Sequence, residues 1–206
     1  MHYEALNQET KRVWDKCGFL RSDFYLTGGT ALALQIKHRI SVDLDLFSPN
    51  PIKKTLLATV EEKFGSVSVL VNTKNELTVI AAGVKITFLH YPFILKYSTV
   101  ETGIVPLSSI ADIASMKAYT IGRRRSFKDY VDLYFILSKE YTTLDTLIVD
   151  AKEKYGYAFN DRLFCEQLTS PEDIDDENII WLEKQRSKAD MQSFFQEKVK
   201  EFLEKI

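Results

Sequence analysis

FYLTGGTALALQIKH (24–38) and ISVDLDLF (40–47) decide the fold of the first half of this chain. FYLT is a short aromatic and β-branched run that stops at two glycines, which predicts a strand ending in a tight turn. Strong helix formers follow from Thr30 to residue 38, with Thr30 placed to cap the helix start. ISVDLDLF alternates apolar and polar residues, which predicts a strand whose buried face carries Ile40, Val42, Leu44 and Leu46.

The rest of the sequence divides the chain into two parts. A helix is expected at 52–64, followed by β-rich runs at 66–72, 77–82 and 84–91. From residue 108 the patterns are helical, most clearly at 109–122, 126–139, 144–155 and 187–205. The sequence therefore predicts an α/β domain at residues 1–107 and a helical region at 108–206 that completes the active-site cleft.

Composition excludes several classes of protein. Of 206 residues, 45% are hydrophobic and 27% are charged, which is typical of a globular protein and not of a disordered or fibrous one. Basic and acidic residues number 27 and 29, and a net charge of -2 argues against coating nucleic acid through overall basicity. No apolar run is long enough for a membrane span, and two distant cysteines favour a reduced, cytoplasmic protein.

The glycine turn and two aspartates form the first candidate site. Gly28 and Gly29 let backbone amides approach a ligand, and the start of the next helix favours a phosphate. Asp43 and Asp45 are two residues apart on a predicted strand, so both point to one face, where Mg²⁺ held together with substrate phosphates would relieve their repulsion. Each feature alone has a simpler interpretation, an ordinary turn and a solvated strand face.

This arrangement resembles the DNA polymerase β-like nucleotidyltransferases, whose first motif is Gly-Gly or Gly-Ser followed by Asp-x-Asp. The segment Arg39-x-Ser41-x-Asp43-x-Asp45-Leu-Phe is still more similar to the AbiEii/AbiGii toxins of type IV toxin–antitoxin and abortive-infection systems. The resemblance covers roughly residues 24 to 138.

The resemblance implies an α/β fold, with a mixed twisted sheet flanked by helices and a helical C-terminal region. It implies that Asp43 and Asp45 hold Mg²⁺ (or Mn²⁺) and that the Gly28-Gly29-Thr30 turn, with Arg39 and Ser41, binds a nucleoside triphosphate. The implied reaction moves a nucleoside monophosphate to RNA, notably the tRNA 3′ end, and the implied partner is a cognate antitoxin regulator.

One departure from the superfamily pattern lies on the strand at 83–91. Related enzymes commonly place a third carboxylate on a later strand, whereas this one has no acid and carries Thr87 at the expected position. The third acid then comes from elsewhere in the chain, or solvent hydroxide is the base, or the chemistry differs.

A second candidate group lies in MKAYTIGRRRSFKDYVDLYFIL (116–137). It resembles the family's downstream motifs, which makes Lys117 a triphosphate-binding cation and Asp129 the missing metal ligand or general base. Asp132 is placed to support either residue, and the arginine run, Arg124 in particular, is placed to contact phosphate.

These residues also have purely structural interpretations. Ser126 and Asp129 match a capping box, Lys128 and Asp132 match a surface ion pair, and an arginine run is often a solvated turn. Tyr119 is interpreted as a helix-face aromatic rather than as a platform for stacking a base.

The leading hypothesis is therefore a Mg²⁺-dependent nucleotidyltransferase toxin that acts on RNA. The acid-free strand keeps a second hypothesis open, a non-catalytic nucleotide-binding or interaction protein with the same fold. A third hypothesis keeps the reaction but moves the acceptor to a small-molecule or protein hydroxyl, because a dedicated RNA enzyme is often more basic.

Overall fold

The structure is a computed structural model that describes residues 1–121, 123–124, 126–171 and 174–205. The chain divides into two compact units, Met1–Ser109 and Ile110–Ile206. Sequence patterns alone place the change from α/β to helical structure at residues 107 and 108.

The first unit is built on a five-stranded mixed sheet. The strand order is β1-β2-β5-β4-β3; β2 and β5 run parallel, and the other neighbouring pairs are antiparallel. The sheet and its helices confirm the predicted mixed α/β fold. The elements are α1 (Gln8–Trp14), β1 (Tyr25–Thr27), α2 (Gly28–Ile36), β2 (Leu44–Ser48), α3 (Leu56–Phe64), β3 (Ser68–Asn72), β4 (Glu76–Ala81) and β5 (Val84–His90).

One face of the sheet forms the core of this unit. Registered neighbours make a continuous apolar row across four strands, and each member is almost completely buried: Leu26, Leu46, Phe88 and Leu77. Burying a side chain of this size stabilises the fold by about 1.5–3 kcal/mol. The next registered row, on the opposite face, is polar and consists of Thr27, Asp45, Thr87 and Thr78. Alternation along the strands thus leaves Asp45 on the face away from the apolar core.

Two local predictions in this unit are wrong. Helix α2 begins at Gly28, with Thr27 at the N-cap position, so Thr30 lies inside the helix and does not cap it. Regular pairing of β2 begins only at Leu44, and Val42 is 42% exposed although strict alternation placed it on the buried face. The segment before Leu44 is instead held by Ser41, which is buried and forms an isolated bridge with Leu6.

The second unit consists of helices. Its elements are α4 (Ile110–Thr120), α5 (Phe127–Ser138), α6 (Leu144–Tyr155), α7 (Asp161–Leu168) and α8 (Lys188–Leu203), with a 3₁₀ turn at Gly156–Ala158. Side chains of Thr143, Asn160 and Ser187 cap the starts of α6, α7 and α8. The short helix α7 lies in the region predicted to be helical but was not predicted as a separate element. Within the part of the chain that the structure describes, no helix is both long and apolar enough to cross a membrane.

Candidate active site

The glycine turn and Asp45 are in direct contact in the first unit. Gly28 has a φ of +69°, and a Cβ added to it would lie 2.8 Å from Oδ2 of Asp45. Only glycine combines that backbone conformation with so close an approach. The first turn of α2 and the carboxylate of β2 are therefore brought together because residue 28 has no side chain.

Asp43 lies just before β2 and points to the same side of the sheet as Asp45. Its Oδ2 is 3.6 Å from Nζ of Lys85. Lys85 precedes Thr87 by two residues on β5, and Thr87 is registered with Asp45. The side chains of Lys85, Thr87 and Asp45 are therefore on the same face of the sheet. Asp43 remains 46% exposed. The predicted pair of carboxylates is thus present on the polar face of the sheet.

Residues behind Asp43 hold its backbone in place. The Thr30 hydroxyl donates to the carbonyl oxygen of Asp43 and lies 2.8 Å from the Ser41 hydroxyl. The guanidinium of Arg39 donates to the carbonyl of Ile40 and, at 3.5 Å, to Ser41 Oγ. Thr30, Ser41 and Arg39 are all buried. These three predicted nucleotide-binding side chains are therefore positioned to order the aspartate segment.

The register also locates the expected place of a third carboxylate. Thr87 is paired directly with Asp45, so the acid-free position of the sequence is the one beside the aspartates. Among the residues that the structure describes, no three His, Cys, Asp or Glu side chains come together as a metal site. Two carboxylates that share one face nevertheless match Mg²⁺, which proteins often bind through one or two carboxylates plus water and substrate phosphates.

The second candidate group is a buried ion-pair cluster in the helical unit. Nζ of Lys117 on α4 lies 2.5 Å from Oδ1 of Asp129 and 2.6 Å from Oδ2 of Asp132, both on α5. All three side chains are buried. Lys117, Asp129 and Asp132 are therefore close together, as their spacing in the sequence suggested. Their ion pairs join α4 to α5.

Arg124 completes this cluster from the surface. Its Nε and Nη2 donate to the two oxygens of Asp129 at 2.7 and 2.8 Å, a bidentate arrangement, while its side chain stays 58% exposed. Burial raises the pKa of Asp129, but the charge of Lys117 and the hydrogen bonds and charge of Arg124 outweigh burial and lower that pKa below its usual value. A carboxylate with a lowered pKa is a weak proton acceptor at neutral pH.

Two of the simpler interpretations of this segment, the capping box and the pair between Lys128 and Asp132, are wrong. Ser126 occupies the N-cap position of α5 without a capping hydrogen bond, and its hydroxyl donates to Glu177. Lys128 also pairs with Glu177, at 3.1 Å, rather than with Asp132. The third arginine of the run, Arg125, lies outside the described residues.

Sequence reasoning missed Lys85 and Ser108. The hydroxyl of Ser108 donates to that of Thr27, which directly precedes the glycine turn, at 2.7 Å. The sequence shows that Lys85 precedes Thr87 by two residues on one strand. That this strand pairs in parallel with β2 depends on the strand order, which the sequence pattern does not give.

Comparisons with known proteins agree with this geometry. The family model described as "Nucleotidyl transferase AbiEii toxin, Type IV TA system" matches residues 12–102 and 98–206. The uncharacterized protein aq_aa25 of Aquifex aeolicus (strain VF5) is 31% identical over 187 residues, which cover 89% of each chain. The crystal structure of JHP933 from Helicobacter pylori has a similar fold, with a TM-score of 0.53, 14% identity and coverage of 97% of both chains.

The family match spans nearly the whole chain, and its first part contains the glycine turn and both aspartates. The second part contains Lys117, Asp129 and Arg124. The chain belongs to the AbiEii family of type IV toxin–antitoxin systems and is a nucleotidyltransferase.

Proposed function

We propose that this nucleotidyltransferase is a Mg²⁺-dependent toxin that transfers a nucleoside monophosphate from a nucleoside triphosphate to the 3′ hydroxyl of RNA, with the tRNA acceptor end as the first candidate. The observation that carries the proposal is the contact of Asp45 with Gly28 at the start of α2, with Asp43 on the same face. Backbone amides at a helix start can bind phosphate and neighbouring carboxylates can bind a divalent metal, so their proximity supports the proposal.

In this proposal, Asp43 and Asp45 would bind the metal ion, and the Gly28-Gly29 start of α2 would bind the triphosphate. When bound, the divalent ion neutralises phosphate charge and favours displacement at the α-phosphorus. In the reaction the 3′ oxygen bonds to that phosphorus, the bond to pyrophosphate breaks, and the hydroxyl proton passes to a solvent base. Thr30, Ser41 and Arg39 act as positioning residues, because their hydrogen bonds fix the backbone around Asp43.

In the helical unit, we propose that Arg124 binds phosphate. Lys117 and Asp129 would support Arg124 and would not bind the substrate themselves. Both oxygens of Asp129 are hydrogen-bonded to cations, so its proposed role is to orient Arg124 rather than to accept a proton. A guanidinium held by two hydrogen bonds loses little further freedom when it binds an anion.

The biological setting follows from the family. We infer a cytoplasmic protein that inhibits growth through its RNA product, is neutralised by a cognate antitoxin regulator and acts in abortive infection. Expression of the chain with and without a candidate antitoxin regulator tests the growth inhibition and its neutralisation, because growth arrest should occur only without the regulator.

The central test is incubation of the purified protein with tRNA, Mg²⁺ and each labelled nucleoside triphosphate in turn. We expect label at the RNA 3′ end with one preferred nucleotide, and loss of transfer when EDTA is added. Periodate oxidation of the RNA 3′ end should also block transfer. Incorporation that survives periodate, or the absence of any incorporation into RNA, would contradict the proposal.

The net charge of only -2 favours a second candidate acceptor, a hydroxyl of a small molecule or a protein. RNA enzymes usually carry a basic surface, whereas an enzyme that modifies a small-molecule or protein hydroxyl needs none. The same labelled triphosphates, incubated with an RNA-free cell extract and analysed by gel and thin-layer chromatography, would reveal such an acceptor.

A further inference from the structure

Three planar groups are stacked at the end of α4 in the helical unit. The rings of Tyr155 and Tyr119 are parallel within 16°, with centroids 4.0 Å apart. The guanidinium carbon of Arg123 lies 4.0 Å from the centroid of the Tyr119 ring. The order is Tyr155, Tyr119, Arg123, and Arg123 is the outermost member.

Backbone carbonyls hold the guanidinium of Arg123 in its place on this stack. Its Nη1 donates to the carbonyl oxygen of Tyr119 at 2.9 Å, and its Nη2 donates to that of Ala158 at 2.5 Å. One face is covered by the Tyr119 ring, yet the residue is exposed. A flat cationic group is therefore fixed on the stack by a side chain that remains exposed.

We propose that this outer face of Arg123 stacks on an unpaired nucleobase. Arginine planes and aromatic rings bind single-stranded bases in this way, and a base between solvent and a cation–π stack gains both stacking and electrostatic attraction. The inference rests on the proposed function, which supplies two sources of a base: the end of the acceptor RNA and the nucleoside triphosphate.

The neighbouring residue strengthens this assignment. Arg124 follows Arg123 directly, is exposed, and is held by both oxygens of Asp129. Consecutive residues thus present a fixed plane for a base and a fixed guanidinium for a phosphate, which are the two parts of a nucleotide. A purely structural role for Arg123, joining α4 to the turn at Gly156–Ala158, would make stability depend on this residue but would give no dependence on a base.

The test measures how much binding depends on the base, in wild type and in two variants. One arm uses a 5′-fluorescein-labelled eight-nucleotide single-stranded RNA with a 3′ hydroxyl, compared by anisotropy with the same RNA carrying one abasic site at each position in turn. The other arm compares nucleoside triphosphates with inorganic tripolyphosphate by calorimetry. If the base comes from RNA, the best-placed abasic site should weaken RNA binding to wild type about 5- to 100-fold. If the base comes from the nucleotide, tripolyphosphate should bind wild type about 5- to 100-fold more weakly than the nucleoside triphosphate does.

Arg123→Ala and Arg123→Lys should reduce this base-dependent factor to less than about twofold. The lysine variant keeps the charge and a donor for Ala158 and loses only the plane, so it remains informative if the alanine variant is less stable. Arg162→Ala is the matched control, because Arg162 is an exposed arginine of the same unit, and it should leave the factor unchanged.

A base-dependent factor that is unchanged in both Arg123 variants, or absent from wild type in both arms, would overturn the inference. Transfer of label to tRNA, measured in parallel, separates this result from failure of the proposed function. Normal transfer with an unchanged factor rejects only the Arg123 site. Loss of the factor in the variants of a protein that never labels RNA supports the site and rejects the RNA acceptor.

Discussion

The two pairs of aspartates in this protein have opposite surroundings. Asp43 and Asp45 lie on the polar face of a sheet, where Asp43 is 46% exposed and its nearest cation, Lys85, is 3.6 Å away. Asp129 and Asp132 are buried in the helical unit, and Nζ of Lys117 approaches both within 2.6 Å. The first pair lies on a partly exposed face of the sheet, whereas the charges of the second pair are buried and balanced by protein cations.

The position of a carboxylate in a sequence motif is therefore not enough to assign its role, because its surroundings also matter. Removing charges from water costs several kcal/mol per ion, which close partners offset. A pair that stays hydrated carries no such cost and can exchange water for a metal and phosphates. The two pairs should therefore respond differently to substitution, one through activity and the other through stability.

The largest expected effect is the loss of activity when Asp45 is replaced, with a smaller change in stability. Asp45→Asn keeps the side-chain shape but removes the charge, so transfer to tRNA should fall at least about 10³-fold, or about 4 kcal/mol. Its free energy of unfolding should change less than that of Lys117→Met, because Asp45 is only partly buried whereas Lys117 and its two partners are buried. Asp23→Asn, at an exposed ion pair with Lys53 in the same unit, is the control. Retention of a tenth of the activity would remove Asp45 from the site.

The converse experiment removes the cation from the buried pair. Lys117→Met leaves Asp129 and Asp132 buried without their shared partner, so the free energy of unfolding should fall by about 3–5 kcal/mol in urea. Lys128→Met breaks a more exposed pair, between Lys128 on α5 and Glu177, and should cost about 1 kcal/mol or less. Equal losses in the two variants would show that burial does not distinguish these pairs.

The glycine contact provides a third test. Gly28→Ala places a Cβ 2.8 Å from Asp45 Oδ2 at a φ of +69°, so transfer should fall about 10²-fold and stability by about 1–2 kcal/mol. Gly18→Ala is matched to it, because a Cβ there has no neighbour within 4 Å, and its activity should be normal. A fully active Gly28→Ala variant would mean that the contact with Asp45 is not needed.

Acid should weaken the helical unit through Asp129. Its pKa is lowered in the folded protein, so this carboxylate contributes stability above the unfolded-state pKa of about 3.9 and loses it as the pH falls through the lower, folded value. Between those two values the unfolding free energy of wild type should fall more steeply than that of Asp129→Asn, by up to about 1.4 kcal/mol per pH unit. Urea titrations from pH 7 to pH 3 measure the slopes, and parallel slopes would contradict the assignment.

The smallest effect concerns Lys85. Its ammonium competes with a metal ion for Asp43, and one charge at this distance in a hydrated site is worth about 1 kcal/mol. Lys85→Met should therefore lower the Mg²⁺ concentration for half-maximal transfer by about two- to fivefold, and added salt should reduce the difference. Lys63→Met, which breaks an exposed pair with Glu62, should leave the Mg²⁺ dependence unchanged. A higher Mg²⁺ requirement in Lys85→Met would show that Lys85 assists the metal or the triphosphate instead.

Strong local patterns made most of the fold predictable. The helices at Leu144–Tyr155 and Lys188–Leu203 and the strand at Val84–His90 lie within a few residues of their predicted ranges, because apolar periodicity and clear stop signals agree there. The strand at 40–47 was predicted too long, since buried Ser41 and exposed Val42 reverse the expected pattern. A hydrogen bond from Thr30 to the backbone of Asp43 holds that segment, and no pattern within eight residues reports such a contact.

Residue types at short, fixed spacings were enough to predict the family, the α/β class and the association of a glycine turn with Asp43 and Asp45. Only the tertiary structure decided that Thr87 stands beside Asp45, that Lys85 reaches Asp43, and that Lys117 and Arg124 hold Asp129. Those relations join residues from different elements. They are set by sheet register and by the burial of charge, which depend on how the whole chain packs.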